Sequence, residues 1–278
     1  MSLSAFATVS VLVASPGLST QVLELQPATA RPGDAVRVRV YGAPTTPSGE
    51  LGGAPLTFFL YRGVFQAITG LPVETGPGAV EVRIHPGEGL DELVGTLDVV
   101  PPNFNQRPLT VENKYVAPPP KVKRWIAEDR AAFKRAFDQK PRGWLFGGSF
   151  AWPRRAEVTA PYGDLRVFNG KKQSQHFGTD IDGRIGEPVH AANDGRVVLV
   201  RECYSAGNAV VLHHGAALYT AYFHLSKFAV KQGQRVKKGQ LLGEVGKTGR
   251  VTGPHLHWGV KVDDRWVDAE SLLRLKLD

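Results

Sequence analysis

The sequence of 278 residues contains a single cysteine, Cys203. One cysteine excludes an internal disulfide and any zinc site built from several thiolates, so a metal centre here would have to rest on His, Asp or Glu. No apolar run reaches the roughly 20 residues that span a bilayer, and no transmembrane segment is expected. Basic residues are plentiful, but no Arg/Lys block alternates with stacking aromatics, which argues against nucleic acid as a partner. No internal repeat stands out. Histidine is scarce: there are eight, and three of them fall in two short stretches, Gln175-His176-Phe177-Gly178-Thr179-Asp180 and Gly253-Pro254-His255-Leu256-His257-Trp258.

What is abundant is turn chemistry. The chain has 31 glycines and 20 prolines, which point to many short strands. Its formal net charge of +8 favours anionic partners, an anionic wall polymer among them. The apolar stretch from Ser4 to Ser15 has no positive charge ahead of it. It reads as a first strand or as the remnant of an export signal, with the strand the preferred reading.

Residues 20 to 112 read as all-β. Val36-Arg37-Val38-Arg39-Val40 and Val80-Glu81-Val82-Arg83-Ile84 alternate with period two between turn signals, as in a small sandwich. Pro118-Pro119-Pro120 marks a hinge. The only long helical pattern follows, from Lys121 to Gln139, with Trp125, Ile126, Ala132, Phe133 and Phe137 on one stripe, the surface of a linker helix. From Phe150 the pattern is again β. The expected organisation is an N-terminal β accessory domain over 1–115, a hinge and linker helix over 116–147, and a C-terminal antiparallel β-sheet domain over 148–278. The fold class is mostly β.

His255 and His257 stand two apart in a strand-like run, so both side chains share one face. Gly178 and β-branched Thr179 between His176 and Asp180 disfavour a helix, and the glycine permits a close backbone approach. His and Asp supply nitrogen and oxygen donors suited to zinc. His224, in Tyr222-Phe223-His224-Leu225-Ser226, is expected to share a strand face with Tyr222. Each feature alone has a plain structural reading.

Together they resemble one family. H-x-x-x-D, then Y-x-H-L-S, then Gly249-Arg250-Val251-Thr252-Gly253-Pro254-His255-Leu256-His257, in this order, are similar to the M23 (lysostaphin/LytM-type) zinc metallopeptidases. Gly186-Glu187-Pro188-Val189 running to Asp194-Gly195-Arg196-Val197-Val198, and Gly233-Gln234-Arg235-Val236-Lys237-Lys238-Gly239-Gln240, fit the same pattern. The likeness covers about residues 148 to 272.

The resemblance implies zinc held by His176, Asp180 and His257, with a fourth position open to water, and His224 and His255 as the two non-ligand histidines. One would take a proton from the water and the other would stabilise the oxyanion. It further implies hydrolysis of peptide bonds in bacterial peptidoglycan, outside the cytoplasm, with a periplasmic, cell-wall or secreted location. The alternatives are a non-catalytic wall-binding or regulatory module, and a latent enzyme whose cleft is covered, with Asn103 or Asn105 reaching the metal. His213 and His214 are expected to be structural, and His190 and His85 are not expected to be ligands. Asp182 is expected to serve a turn before Gly183.

Overall fold

The computed structural model describes residues 8–13, 20–139 and 143–277. It divides into two compact units, residues 1–102 and 103–278. The first unit has two five-stranded sheets. One sheet is built on Gln21–Gln26, Ala35–Tyr41 and Val64–Gly70, the other on Gly78–His85 and Leu93–Val99. Period-two alternation explains the packing. Leu23, Leu25, Val36, Val38 and Val40 from one sheet meet Val82, Ile84, Leu93 and Leu97 from the other in one buried cluster. Each such side chain contributes about 1.5–3 kcal/mol relative to exposure. This is the sandwich that the strand pattern predicts. The apolar start supplies a strand, Val9–Val13, antiparallel to Gln21–Gln26; residues 4–7 and 14–15 lie outside the described residues.

The second unit is centred on an eight-stranded antiparallel sheet. Its order is Val158–Ala160, Thr179–Asp182, His255–Val262, Leu218–Leu225, Gly207–His213, Gly195–Cys203 and Arg235–Val236, with Arg265–Val267 paired to the His255–Val262 strand. The central strands are near-continuous apolar runs because both of their faces are covered. Trp258, Tyr219, Tyr222 and Leu218 are fully buried. A three-stranded sheet, in the order Gln106–Leu109, Leu165–Phe168, Lys172–Gln175, lies in the same unit.

The helix predicted between Lys121 and Gln139 runs over Lys123–Phe137 and packs on this unit. Ala132 and Ala136 are buried, and Phe133 and Phe137 lie against Phe223, Tyr219 and Trp266. Asp129 anchors the helix by accepting from Arg201 Nε (2.8 Å) and from the Tyr204 backbone N–H (2.7 Å). No helix among the described residues is long and apolar enough to cross a membrane.

Candidate metal centre

Strand register brings the two histidine-bearing stretches together. Thr179–Asp182 pairs antiparallel with His255–Val262, so that Asp180 stands opposite His257 and Asp182 opposite His255. On the other side of the same strand, Phe223 stands opposite His257. His176 precedes the Thr179–Asp182 strand in a loop pinned by its own backbone, with its N–H donating to Asp164 O (2.9 Å) and its carbonyl accepting from Gly163 N (2.8 Å). Three donor atoms converge. His176 Nε2 lies 3.1 Å from Asp180 Oδ1 and 3.1 Å from His257 Nδ1, and the last two are 2.9 Å apart. No other group of three His, Cys, Asp or Glu donors is so closely drawn together among the described residues. A tetrahedral zinc with bonds of 2.0–2.1 Å separates its ligand atoms by about 3.3–3.4 Å, so the triangle needs to open by only a few tenths of an ångström.

Protonation fits the same purpose. Pro161 O can only accept, so the 2.7 Å contact to His176 Nδ1 places the proton on Nδ1. In neutral His176 the Nε2 lone pair then faces a carboxylate oxygen and a second imidazole nitrogen, an arrangement that a cation at the centre resolves. Burial pushes His257 down to about 4, against the opposing pull of Asp180, so its imidazole is neutral near pH 7. Burial would raise Asp180, but its contacts with His176 and His257 outweigh that effect and hold the carboxyl well below its ordinary value. A neutral imidazole and an ionised carboxylate are the forms that bind metal.

His224 departs from the expected alternation. Asn208 pairs with Leu225 but Val210 pairs with Tyr222, so the Leu218–Leu225 strand carries one extra residue. His224 sits in this bulge with a left-handed φ of 65°. A bulge re-aims a side chain, and a non-glycine residue in this region costs of order 1–3 kcal/mol. The expected shared face with Tyr222 is therefore lost. Tyr222 points into the core, where its hydroxyl accepts from Ala192 N (3.0 Å). His224 instead lines the cavity of His176 and His257, its ring 5.0 Å from that of His255 and 6.0 Å from that of His257.

His224 Nδ1 donates to Thr248 O (2.8 Å) and His255 Nδ1 to Gly253 O (2.9 Å), since both partners are carbonyls. Both Nε2 atoms are thereby left to other partners. His255 Nε2 is buried with no hydrogen bond and lies 3.7 Å from Asp180 Oδ2. Burial, with the neighbouring His255 and His257, holds His224 well below the usual histidine range.

Support for the donors comes from residues that the sequence did not tie to the site. The Arg166 guanidinium donates to Asp180 Oδ2, leaving Oδ1 at the centre. Phe223 stacks on His257 with ring centroids 5.3 Å apart and planes 7° from parallel, and Phe133 of the helix packs edge-on against Phe223 at 5.6 Å. No pattern in the sequence marked Arg166 or tied it to Asp180.

Gly178 is needed for room. A Cβ at this position would stand 2.5 Å from both Cε1 and Nε2 of His257. Gly178→Ala is expected to displace the imidazole and to weaken zinc binding about tenfold or more, the scale seen when ligand orientation is disturbed. Chelator competition measures this, and unchanged affinity would show that the close approach does not hold the ring.

The remaining histidines lie elsewhere. His214 is fully buried, with Nδ1 donating to Asp194 O (2.6 Å) and Nε2 bonded to Thr220 Oγ1 (2.7 Å); burial lowers it to about 4. His213 stacks on Tyr219. His190 lies in the Pro188–His190 strand, and His85 pairs with Glu92 in the first unit. Asp182 is exposed at the end of its strand. The Asn105 backbone N–H donates to the Asp164 carboxylate (3.0 Å), and its carbonyl accepts from Leu165 N (2.8 Å).

Comparison with known proteins gives a consistent picture. Residues 174–269 match the model of peptidase family M23. The chain is 42% identical over 140 residues to the peptidoglycan DD-endopeptidase ShyA of Vibrio cholerae, covering 50% of this chain and 30% of that protein. It is 38% identical over 156 residues to ShyB of the same organism, with 53% and 34% covered. The chain thus spans about a third of the length of these curated relatives. Among solved structures, one assigned to peptidase M23 from Pseudomonas aeruginosa superposes with a TM-score of 0.63 at 25% identity, over 87% of this chain and 94% of that one.

Proposed function

Because residues 174–269 match the model of peptidase family M23, we propose that the chain is a zinc-dependent endopeptidase that cuts peptide bonds of bacterial peptidoglycan, and so acts outside the cytoplasm. The observation that carries this reading is the convergence of His176 Nε2, Asp180 Oδ1 and His257 Nδ1 within 3.1 Å of one another, beside two further histidines whose Nε2 atoms are uncommitted. His176, Asp180 and His257 would hold the ion. When bound, zinc supplies Lewis acidity that acidifies a water and polarises the scissile carbonyl.

The chain's own residues divide the remaining work. His224, kept neutral by burial, accepts a proton at Nε2 while Thr248 O holds its Nδ1–H. His255, once protonated at Nε2, donates to the oxygen on which charge develops. Its ring lies 5.0 Å from that of His224, so like-charge repulsion favours one imidazolium at a time, as an acid/base pair requires. Pro161 O, Gly253 O and Thr248 O each fix a ring orientation, and the helix braces His257 through Phe223.

The test is to measure zinc content and release of soluble peptides from purified peptidoglycan on one preparation, before and after chelation and zinc re-addition. Release that tracks zinc is the expected result. Wall binding without release, in zinc-loaded protein, would replace the hydrolase with a binding module.

A further inference from the structure

Two guanidiniums stand beside the metal centre, and only one has an anion. Arg166 is paired with Asp180. Arg250 is not: no carboxylate among the described residues pairs with it, and its guanidinium lies over the Phe168 ring, 4.4 Å from the centroid. Arg166 and Phe168 are two apart in the Leu165–Phe168 strand and so share a face, which sets Arg250 beside Arg166. Both arginines line the cavity that holds His176, His224 and His257. Both also line an adjoining depression reached by His255.

The placement of Arg250 is rigid. Its backbone N–H donates to Ser205 O (2.8 Å). Gly249, at a φ of 77°, packs so closely that a Cβ there would lie 2.4 Å from Gly207 N. Thr248 Oγ1 accepts from Asn208 N (2.9 Å) and donates to Leu225 O (2.9 Å). Thr248 O is the atom that orients His224, so one pinned loop fixes both the histidine and the arginine.

A partly desolvated cation next to a second cation is unfavourable, and stacking on one aromatic ring offsets only part of the cost. Burial first, and then the charge of Arg166, weaken the hold of Arg250 on its proton. Lys172 is lowered in the same way, by burial and then by Arg250 and Arg130, and it lines a neighbouring depression that shares Ser205 and Ala206 with this cavity, so the positive character continues beyond it. Guanidinium groups fixed without an internal anion are suited to a planar carboxylate from outside, which they can grip with two parallel hydrogen bonds.

We propose that Arg250, assisted by Arg166, is the substrate-carboxylate receptor of this cleft, so that the preferred substrate is a peptide with a free carboxylate beside the scissile bond and not a neutral glycine bridge. The proposal rests on the hydrolase reading only in taking the ligand to be a wall peptide. Arg250 is a specificity-determining residue, and Arg166 also positions Asp180.

The experiment uses a synthetic cross-linked stem-peptide dimer ending in D-alanine, prepared as the free acid and with its carboxylates amidated. Binding of both forms is measured by calorimetry on zinc-free and zinc-loaded protein, and cleavage is followed separately. The wild type is expected to favour the free acid about tenfold or more, the scale of one charge-assisted pair. That preference should fade with added salt. It should vanish in Arg250→Gln and shrink in Arg250→Lys, which keeps the charge but loses the planar fork.

Equal binding of both forms by the wild type, or an undiminished preference in Arg250→Gln, overturns the proposal. If the glutamine variant does not fold, the lysine variant decides, and an undiminished preference there overturns it. An Arg250-dependent preference without any cleavage overturns the hydrolase reading alone. Cleavage of both forms without preference overturns the carboxylate receptor alone.

Discussion

His257→Ala is expected to lose bound zinc and peptide release together. His257 contributes Nδ1 to two of the three contacts that define the centre, 2.9 Å to Asp180 Oδ1 and 3.1 Å to His176 Nε2. Its removal leaves two donors, below the three protein ligands of a catalytic zinc. A metal centre supplies several kcal/mol of transition-state charge stabilisation, so its loss lowers the rate by about 10³-fold or more. The variant should still fold, because the neighbouring Leu256 and Trp258 carry the apolar burial on the other face of the strand. Metal analysis and the peptide-release assay, with circular dichroism on the same sample, read all three. Full zinc content in this variant would remove His257 from the ligand set.

His224→Ala and His255→Ala are expected to behave differently: each keeps its zinc and loses activity by about 10²–10⁴-fold, the usual contribution of a positioned proton-transfer group. The loss should fall on kcat more than on KM, since the interaction is made chiefly in the transition state. Combined, the two substitutions should cost less than the sum of their separate effects, because the histidines act as a unit. Zinc loss in either variant would make that residue a ligand, and an unchanged kcat would take it off the proton path.

Much of the second unit was legible in the sequence because the relevant signals are local. Apolar, β-branched runs after Phe150 marked the β pattern that forms Gly195–Cys203, Gly207–His213, Leu218–Leu225 and His255–Val262. The helical stripe from Trp125 to Phe137 marked the helix. The order and spacing of the histidine and aspartate motifs named the five candidate site residues, and the resemblance to a known family supplied their chemistry. Period-two alternation also put His255 and His257 on one face.

It misled at His224. A bulge adds one residue to one strand, and composition does not reveal where a strand will carry it. The curve of backbone that turns His224 towards the cavity exists only because Asn208 and Val210 pair with Leu225 and Tyr222 across the sheet.

What the sequence determined by itself is therefore the kind of chemistry: which side chains carry donors, that thiolates are not among them, and that the donors lie on strands and loops of a mostly β protein. The tertiary structure alone decided how those donors meet and what surrounds them. It placed Arg166 on Asp180, Phe223 on His257, and Arg250 over Phe168 with no carboxylate partner among the described residues. These contacts join residues as far apart as Phe168 and Arg250. Such pairings follow from strand register and loop closure across the whole unit, and no local pattern encodes them.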